Sequence, residues 1–284
     1  MIIPNILSHN WRWITNKAKI TIQYVCSRIK SESFDLPNNP KLFCLFIGYP
    51  RSGHSLVGSL LDAHPNSIIA NELDVLRFVS AGFNRKQIHY LLFRNSQQHS
   101  QKGRTQTGYK YDVPNQWQGR VEKLLVLGDK KGGMTTQRLS KNPLLLHQIQ
   151  SIIDLPIKFV HVVRNPFDNI TTMKFRTDST INREIFHYFE LCLKNAIIQN
   201  MAGDADFLTI RHEDLIVNPE ATVSQITTFL GLETRPDYLK DCASIIYPSP
   251  HKSRIKHHWS AKEIALVNNQ LSRFLFLSGY TFDN

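Results

Sequence analysis

The chain has 284 residues, and its 34 lysines and arginines exceed its 23 acidic residues by a net charge of +11. Hydrophobic residues make up 42% of the sequence and are spread along it, which argues against disorder and allows one large α/β domain or two small ones. No apolar run approaches the roughly 20 residues of a membrane-spanning helix, and no cleavable signal pattern is evident.

Four scattered cysteines form no paired motif and suit buried free thiols in a reducing compartment. We therefore expect a cytoplasmic protein. The basic excess leaves three kinds of partner open: nucleic acid, an anionic membrane surface or a small polyanion.

Residues 1–40 have a loosely helical, amphipathic pattern in which Trp11, Ile22 and Ile29 alternate with basic residues such as Lys19. Such a segment can lie on an anionic membrane surface, but a helix packed on the flank of its own domain is the more common arrangement and the one we expect. A turn-rich boundary at residues 36–40 separates this helical extension from a main domain at residues 41–284.

Five apolar runs of strand length alternate with helical patterns along the main domain. This order predicts an α/β domain of three layers, with a central parallel sheet of about five strands, helices on both faces and a ligand site at the carboxyl ends of the strands. A polar stretch at residues 94–120 is predicted to be a surface loop or flap. The predicted strands are residues 42–47, 67–70, 124–127, 157–163 and 207–210.

The loop after the first strand matches the frame of a nucleotide phosphate loop, with Gly48, Gly53 and Ser55 in place. His54 stands where a nucleoside triphosphatase has lysine, which makes ATP or GTP cleavage a poor prediction. The amides of residues 52–55 would open a helix N-terminus that favours a phosphate without a metal, and Arg51 adds a positive charge. A small-molecule kinase and a basic nucleic-acid-binding protein remain alternatives.

Residues 50–55, Pro-Arg-Ser-Gly-His-Ser, resemble the cofactor loop of sulfotransferases that use 3′-phosphoadenosine 5′-phosphosulfate (PAPS). The resemblance implies a fold like that of the P-loop nucleoside triphosphatases. It also implies that Ser52, Gly53, His54 and Ser55 hold the donor, and that Arg51 stabilises the oxygen leaving the sulfuryl group. His54 departs from the family pattern, which usually has a hydroxyl residue there.

A second motif follows the fourth predicted strand. Arg164 at a strand end, before a helix begun at Pro166, is suited to bind a second phosphate. This resembles the 3′-phosphate motif of the same family, in which Thr172 keeps the hydroxyl of the usual serine. Taken alone, Arg164 would more readily be interpreted as the ion-pair partner of Asp168, and its combination with the first loop reverses that preference.

The candidate base is Glu72, which follows the second strand. A carboxylate there can take a proton from an acceptor hydroxyl, provided burial raises its pKa towards neutrality. A glutamate after this strand is the usual base in the carbohydrate branch of the family. By the same resemblance, Lys130 at the end of the third strand helps to neutralise charge in the transition state.

Further along, the resemblance places His212 against the adenine, and Lys252 and Arg254 in a basic loop over the 3′-phosphate. Adjacent His257 and His258 lack the spacing of a metal site, so no metal is expected. The sequence thus predicts a PAPS-dependent sulfotransferase acting on a hydroxyl or amine of a small-molecule or carbohydrate acceptor. No nucleic-acid partner is expected, and a peripheral membrane contact by the N-terminal helix is left open.

Overall fold

The computed structural model describes residues 5–106 and 108–284, with side chains from residue 18 onward. Its strands are, in chain order, β1 (Leu42–Gly48), β2 (Ser67–Asn71), β3 (Thr105–Gln106), β4 (Tyr109–Lys110), β5 (Val126–Lys130), β6 (Ile157–Val163) and β7 (Phe207–Arg211). Five of them form one sheet in the order β2-β5-β1-β6-β7, and every pairing in it is parallel. The short strands β3 and β4 form a separate antiparallel hairpin.

The helices connect and cover these strands. They are α1 (Asn5–Glu32), α2 (His54–Asp62), α3 (Val75–Ser80), α4 (Arg85–Gln101), α5 (Gly133–Lys141), α6 (Leu144–Ile153), α7 (Pro166–Thr177), α8 (Ile181–Ala202), α9 (His212–Val217), α10 (Pro219–Phe229), α11 (Pro236–Ser244) and α12 (Ala261–Leu271). Short 3₁₀ turns lie at Asp204–Asp206, Ser253–Lys256 and Leu275–Leu277.

Strand β1 shows why the sheet is buried on both faces. Phe43 and Leu45 belong to one hydrophobic cluster, while Cys44 and Phe46 belong to another on the opposite face, because successive side chains of a strand point in opposite directions. Helices therefore cover both faces, as is usual for parallel sheets. The predicted three-layer α/β fold with five parallel strands is confirmed.

The third strand of the sheet is displaced from its predicted position. Apolar residues predict a strand at 124–127, but β5 runs from Val126 to Lys130 and pairs with β1 and β2 along its length. The second half of β5 contains the polar residues Asp129 and Lys130, so a pattern of apolar residues does not predict this part of the strand.

The prediction of a long surface loop at residues 94–120 is wrong for its first third. Residues 94–101 complete α4, which starts at a capping box formed by Asn84 and Gln87 and buries Leu92. Beyond the helix, Arg104 is almost fully buried and forms an ion pair with Asp62 of α2. This segment is thus anchored to the core.

The described part of α1 packs on α4, in agreement with the expected position on the domain's flank. The amide of Gln87 donates to the carbonyl of Tyr24 and to the hydroxyl of Ser27, both at 3.0 Å. The amphipathic pattern predicted for Trp11 and its neighbours before residue 18 lies outside the side chains that the structure describes. In the described chain, no helix is long and apolar enough to cross a membrane.

All four cysteines carry free thiols. Cys44, Cys192 and Cys242 are buried, as predicted, and burial raises the pKa of each of these thiols. The expectation of burial is wrong for Cys26, which is exposed on the outer side of α1.

Candidate active site

The loop between β1 and α2 needs glycine at its last position. Gly53 has a φ of 99°, in the left-handed region, and an added Cβ would clash with the ring of His212. Arg51 in the same loop also has a positive φ, of 70°. Such backbone strain outside glycine is uncommon and concentrates at functional sites.

This loop leaves an anion cradle open at the start of α2. Among the described residues, the amides of residues 52–55 donate to no protein acceptor, and the first turn of the helix carries no acidic side chain. A helix N-terminus with free amides carries a partial positive charge and favours a negatively charged group. The loop therefore has the features that its sequence predicts.

Glu72 lies beside the cradle, where two lysines and one histidine surround it. Lys130 Nζ donates to Glu72 Oε1 at 2.6 Å and Lys131 Nζ donates to Oε2 at 2.7 Å. Lys130 also donates to the hydroxyl of Ser55 at 3.1 Å. His54 Nε2 is 3.8 Å from Glu72 Oε1. One carboxylate is thus held by two ammonium groups next to the phosphate loop.

These neighbours determine the pKa of Glu72. Burial by itself raises this pKa, but the close contact with His54 and the charge of Lys130 outweigh burial and hold the pKa below its usual value. The expectation that burial raises the Glu72 pKa towards neutrality is therefore wrong in this structure. While both lysines hold it, Glu72 is therefore a weak base.

His54 occupies the loop position where the nucleoside triphosphatase pattern has a lysine and the sulfotransferase pattern usually has a hydroxyl residue. Its Nδ1 is 3.3 Å from the hydroxyl of Ser52, and its ring packs against Gly132. Burial lowers the pKa of His54, so the ring is neutral near pH 7. Ser52, His54 and Glu72 consequently form a short polar chain beneath the loop.

Asp129 supports the Glu72 loop from below, a role that the sequence analysis does not predict. Its carboxylate accepts hydrogen bonds from the amides of Leu73 (3.2 Å) and Val75 (2.7 Å). Glu72 and Asp74 both have left-handed backbone, with φ of 58° and 66°. Full burial raises the pKa of Asp129 to about 7.

On the other side of the site, Arg164 and Thr172 hold the segment at residues 251–254. Arg164 donates to the carbonyl of His251 and to the hydroxyl of Ser253 (3.2 Å). The Thr172 hydroxyl donates to the carbonyl of Asp168 at 2.8 Å and lies within hydrogen-bond distance of Ser253 Oγ, at 2.9 Å. The two residues predicted to bind a second phosphate therefore lie together.

Arg254 has a different environment from the neighbouring Lys252. Its guanidinium forms a two-pronged ion pair with Asp168, at 3.0 and 2.6 Å, and donates to the carbonyl of Phe282 at 2.5 Å. Both partners are about 95% buried or more. Asp168 thus pairs with Arg254 and not with Arg164, and Arg254 anchors the loop from beneath.

A cavity of about 1250 Å³ joins these two regions. Ser52, Lys130 and Arg254 lie behind its wall. We call the part around residues 51–55, Glu72 and its two lysines the Glu72 end, and the part around Arg164, Thr172 and residues 251–254 the Arg164 end. The sequence-predicted residues in the lining are Arg51, Gly53, His54, Ser55, Glu72, Arg164, Thr172, His212 and Lys252.

The predicted residues Arg51 and His212 face the cavity with unusual environments. Burial, and then the nearby charge of Arg176, lowers the pKa of Arg51. Burial lowers the pKa of His212 to about 3, and its Nδ1 has no hydrogen-bond partner among the described residues. The imidazole of His212 is thus neutral and retains unused hydrogen-bonding capacity.

The sequence analysis missed the aromatic wall of the cavity. Tyr109 and Tyr111 come from the β3–β4 hairpin region, and the ring of Tyr109 contacts that of Tyr247 at a centroid distance of 6.1 Å. Arg176 from the end of α7 also lines the cavity. These side chains are far apart in the sequence, and only the docking of the hairpin brings them together.

No group of three or more histidine, cysteine, aspartate or glutamate side chains within residues 18–106 and 108–284 could hold a metal ion.

A comparison with curated proteins gives no match. Similar solved structures include a sulfotransferase from Mycobacterium avium (9% identity, TM-score 0.49, 89% of this chain and 80% of that one covered) and one from Alicyclobacillus acidocaldarius (14%, 0.47, 83% and 94%). Another is a mouse sulfotransferase complexed with PAP (14%, 0.41, 86% and 86%). The model of the sulfotransferase family matches residues 44–236. Since this match spans more than half of the chain and includes the loop, Glu72, Lys130, Arg164 and His212, the protein belongs to the sulfotransferase family.

Proposed function

We propose that this sulfotransferase uses PAPS as its donor and transfers the sulfuryl group to a hydroxyl or amine of a small-molecule or carbohydrate acceptor. The observation that carries the proposal is a single cavity with basic side chains at both ends, one of which also holds the carboxylate of Glu72. PAPS likewise has two charged groups, the 3′-phosphate and the 5′-phosphosulfate. Family membership leaves the kinase and the nucleic-acid-binding alternatives without support.

The Glu72 end fits the phosphosulfate. The free amides of residues 52–55 can donate to its oxygens, and the hydroxyls of Ser52 and Ser55 lie in the same loop. Arg51 forms no ion pair among the described residues, so its charge is available for an anion. His54 offers its backbone amide, and its ring nitrogen Nε2 lies 3.8 Å from Glu72 Oε1.

The Arg164 end fits the 3′-phosphate. Among the described residues, Arg164 donates to neutral oxygens of residues 251 and 253, and its guanidinium forms no ion pair with a carboxylate. Thr172 offers a hydroxyl, and Lys252 is exposed beside them at the cavity wall. His212 lines the cavity, where its ring is available to contact an adenine, while Arg254 holds the loop through Asp168.

The chain's own groups support in-line transfer. Bound PAPS supplies an activated sulfuryl group. Glu72 would take the proton of the acceptor hydroxyl as the new oxygen–sulfur bond forms and the bond from sulfur to the bridging phosphate oxygen breaks. Arg51 and Lys130 would stabilise negative charge on the bridging and sulfuryl oxygens. An anion in the loop competes with Glu72 for Lys130, which would raise the Glu72 pKa when proton transfer is needed.

Calorimetry with 3′-phosphoadenosine 5′-phosphate, ATP and a DNA duplex tests the donor assignment. We expect binding of the bisphosphate in the presence of a metal chelator, with strong loss in both Arg51→Ala and Arg164→Ala. Glu122→Gln, a surface change elsewhere, is the control with unaltered binding. Preference for ATP, or DNA binding that falls steeply with salt, would overturn the proposal.

The same proposal includes the organisation and location of the chain. We infer a catalytic domain at residues 41–284 and a helical extension at residues 1–40, supported by the family match within the former. A cytoplasmic location is supported by the free state of all four thiols. Fluorescence microscopy of the tagged protein in its native host tests the location, and a signal outside the cytoplasm would refute it.

A further inference from the structure

The described part of α1 has two faces with different partners. Its inner face packs on the domain: Tyr24 meets Phe83 with ring centroids 5.1 Å apart, and Gln23 accepts a hydrogen bond from Arg77. Ser27 and Ser31 on the same side are buried. These contacts fix which side of the helix faces outward.

The outer face is an apolar stripe. Ile22, Val25 and Ile29 are 62%, 52% and 69% exposed, although isoleucine and valine are among the residues most often buried in proteins. At about 100° per residue the three side chains fall within an arc of roughly 60°. In the sequence, the same spacing of three and four residues continues towards the N-terminus at Ala18, Ile14 and Trp11.

Basic side chains border this stripe on both sides. On the helical arrangement, Lys19 and Lys30 lie along one border and Arg28 along the other. All three are exposed, and none forms an ion pair with a carboxylate among the described residues. Glu32, the acidic residue of this helix, lies on the Arg28 border, so the border of Lys19 and Lys30 is the more strongly basic one. The exposed face therefore combines apolar surface with unpaired positive charge.

We propose that this face of α1, formed by Ile22, Val25 and Ile29 between Lys19, Arg28 and Lys30, docks on an anionic lipid surface. An amphipathic helix with a basic border lies in the bilayer interface, with its apolar side among the acyl chains and its cations at anionic headgroups. The charge of the border favours this occupant over a second copy of α1, whose cations would repel its own. The proposal concerns α1 alone and is independent of the donor and of the acceptor.

Vesicle co-sedimentation of the full chain tests the proposal. We expect binding to phosphatidylcholine vesicles containing about 30% phosphatidylglycerol, little binding to pure phosphatidylcholine, and release in about 0.5 M salt, where charges are screened. The triple variant Ile22→Ser, Val25→Ser, Ile29→Ser should lower the partition coefficient on the order of tenfold or more. The double variant Lys19→Glu, Lys30→Glu should lower binding to the anionic vesicles but not the weak binding to pure phosphatidylcholine.

A matched control separates this stripe from exposed apolar surface in general. Leu275 is 91% exposed on a different part of the molecule, so Leu275→Ser should leave vesicle binding unchanged. Thermal unfolding of each variant checks that the fold is retained, as expected because the substituted side chains face outward. Equal binding by the triple variant and the wild type would overturn the proposal. The proposal would also be overturned if the wild type bound no vesicles and sedimentation velocity showed a dimer that the triple substitution dissociates.

Discussion

At the Glu72 end of the cavity the cations Lys130 and Lys131 are bound by a carboxylate, whereas at the Arg164 end the guanidinium is bound by a carbonyl and a hydroxyl. A cation paired with a carboxylate must exchange that partner before it can serve a ligand. A cation held by neutral oxygens keeps both its position and its charge. We therefore expect the Glu72 end to rearrange when a donor binds and the Arg164 end to keep its geometry.

The largest expected effect is on turnover at the Glu72 end. In Glu72→Gln the side chain keeps its shape but loses the basic carboxylate, so we expect kcat to fall by about 10²–10⁴-fold. Affinity for 3′-phosphoadenosine 5′-phosphate, measured by calorimetry, should change far less. Turnover is measured as sulfate transfer from PAPS to an acceptor found by screening, with Glu122→Gln as the control. An equal loss in affinity and turnover would make Glu72 a binding residue instead.

The second-largest effect is expected on the stability of the Arg164 end. Asp168→Ala leaves Arg254 buried without its carboxylate, which should lower the free energy of unfolding by about 3–5 kcal/mol. The control is Asp154→Ala, which breaks the exposed ion pair with Arg85 and should cost less than about 1 kcal/mol. Denaturant unfolding measures both. Similar losses in the two variants would contradict a rigid Arg164 end.

A smaller effect is expected on donor binding. Arg164→Ala removes a charged donor at the Arg164 end, so affinity for 3′-phosphoadenosine 5′-phosphate should fall by roughly 10–100-fold, the range of about 1.5–3 kcal/mol for a hydrogen bond to a charged group. Adenosine 5′-phosphate lacks the 3′-phosphate, so its affinity should fall much less. Equal losses for the two nucleotides in calorimetry would place the 3′-phosphate elsewhere.

The smallest effect is a dependence on pH at the Glu72 end. Burial raises the pKa of Asp129 to about 7, so the folded state holds this proton more tightly than the unfolded state does. The Asp129 contribution to stability is therefore fully present below the unfolded pKa and is lost as the pH rises through about 7. Relative to wild type, Asp129→Asn should gain about 1.4 kcal/mol per pH unit between roughly pH 5 and 6.5.

Urea unfolding at a series of pH values measures this difference. Asp237→Asn, at an exposed position, should show a constant offset from the wild type across the series. A constant offset for Asp129→Asn as well would mean that Asp129 does not titrate near neutrality. The pH dependence would then no longer distinguish the two ends.

The sequence predicts what depends on local pattern. Strands β1 and β6 are continuous apolar runs, and the loop after β1 carries its own glycines, so their positions follow from neighbouring residues. The Glu72 environment depends on Lys130 and Lys131, which reach it only through the pairing of β2 with β5. The lowered pKa of Glu72 is therefore invisible in the sequence.

At the Arg164 end the same limit applies to the basic loop. Lys252 and Arg254 are two residues apart and look equivalent in sequence, yet Lys252 lines the cavity and Arg254 is buried against Asp168. The aromatic wall formed by Tyr109 and Tyr247 depends on how two distant segments dock. Local pattern thus finds the motifs, and tertiary packing decides which of their members meet a ligand.

The last two side chains of strand β5 have different roles. Asp129 holds the Glu72 loop, and Lys130 passes over Gly58, where an added Cβ would lie 2.7 Å from its Cγ, to reach Glu72 and Ser55. Gly128 packs so closely on the carbonyl of Cys44 that no larger residue fits. Deleting or inserting one residue in β5 would exchange the acid and the base between the two sides. We therefore expect the insertion or deletion of single residues to be tolerated in the loop before β5 and to abolish activity within β5.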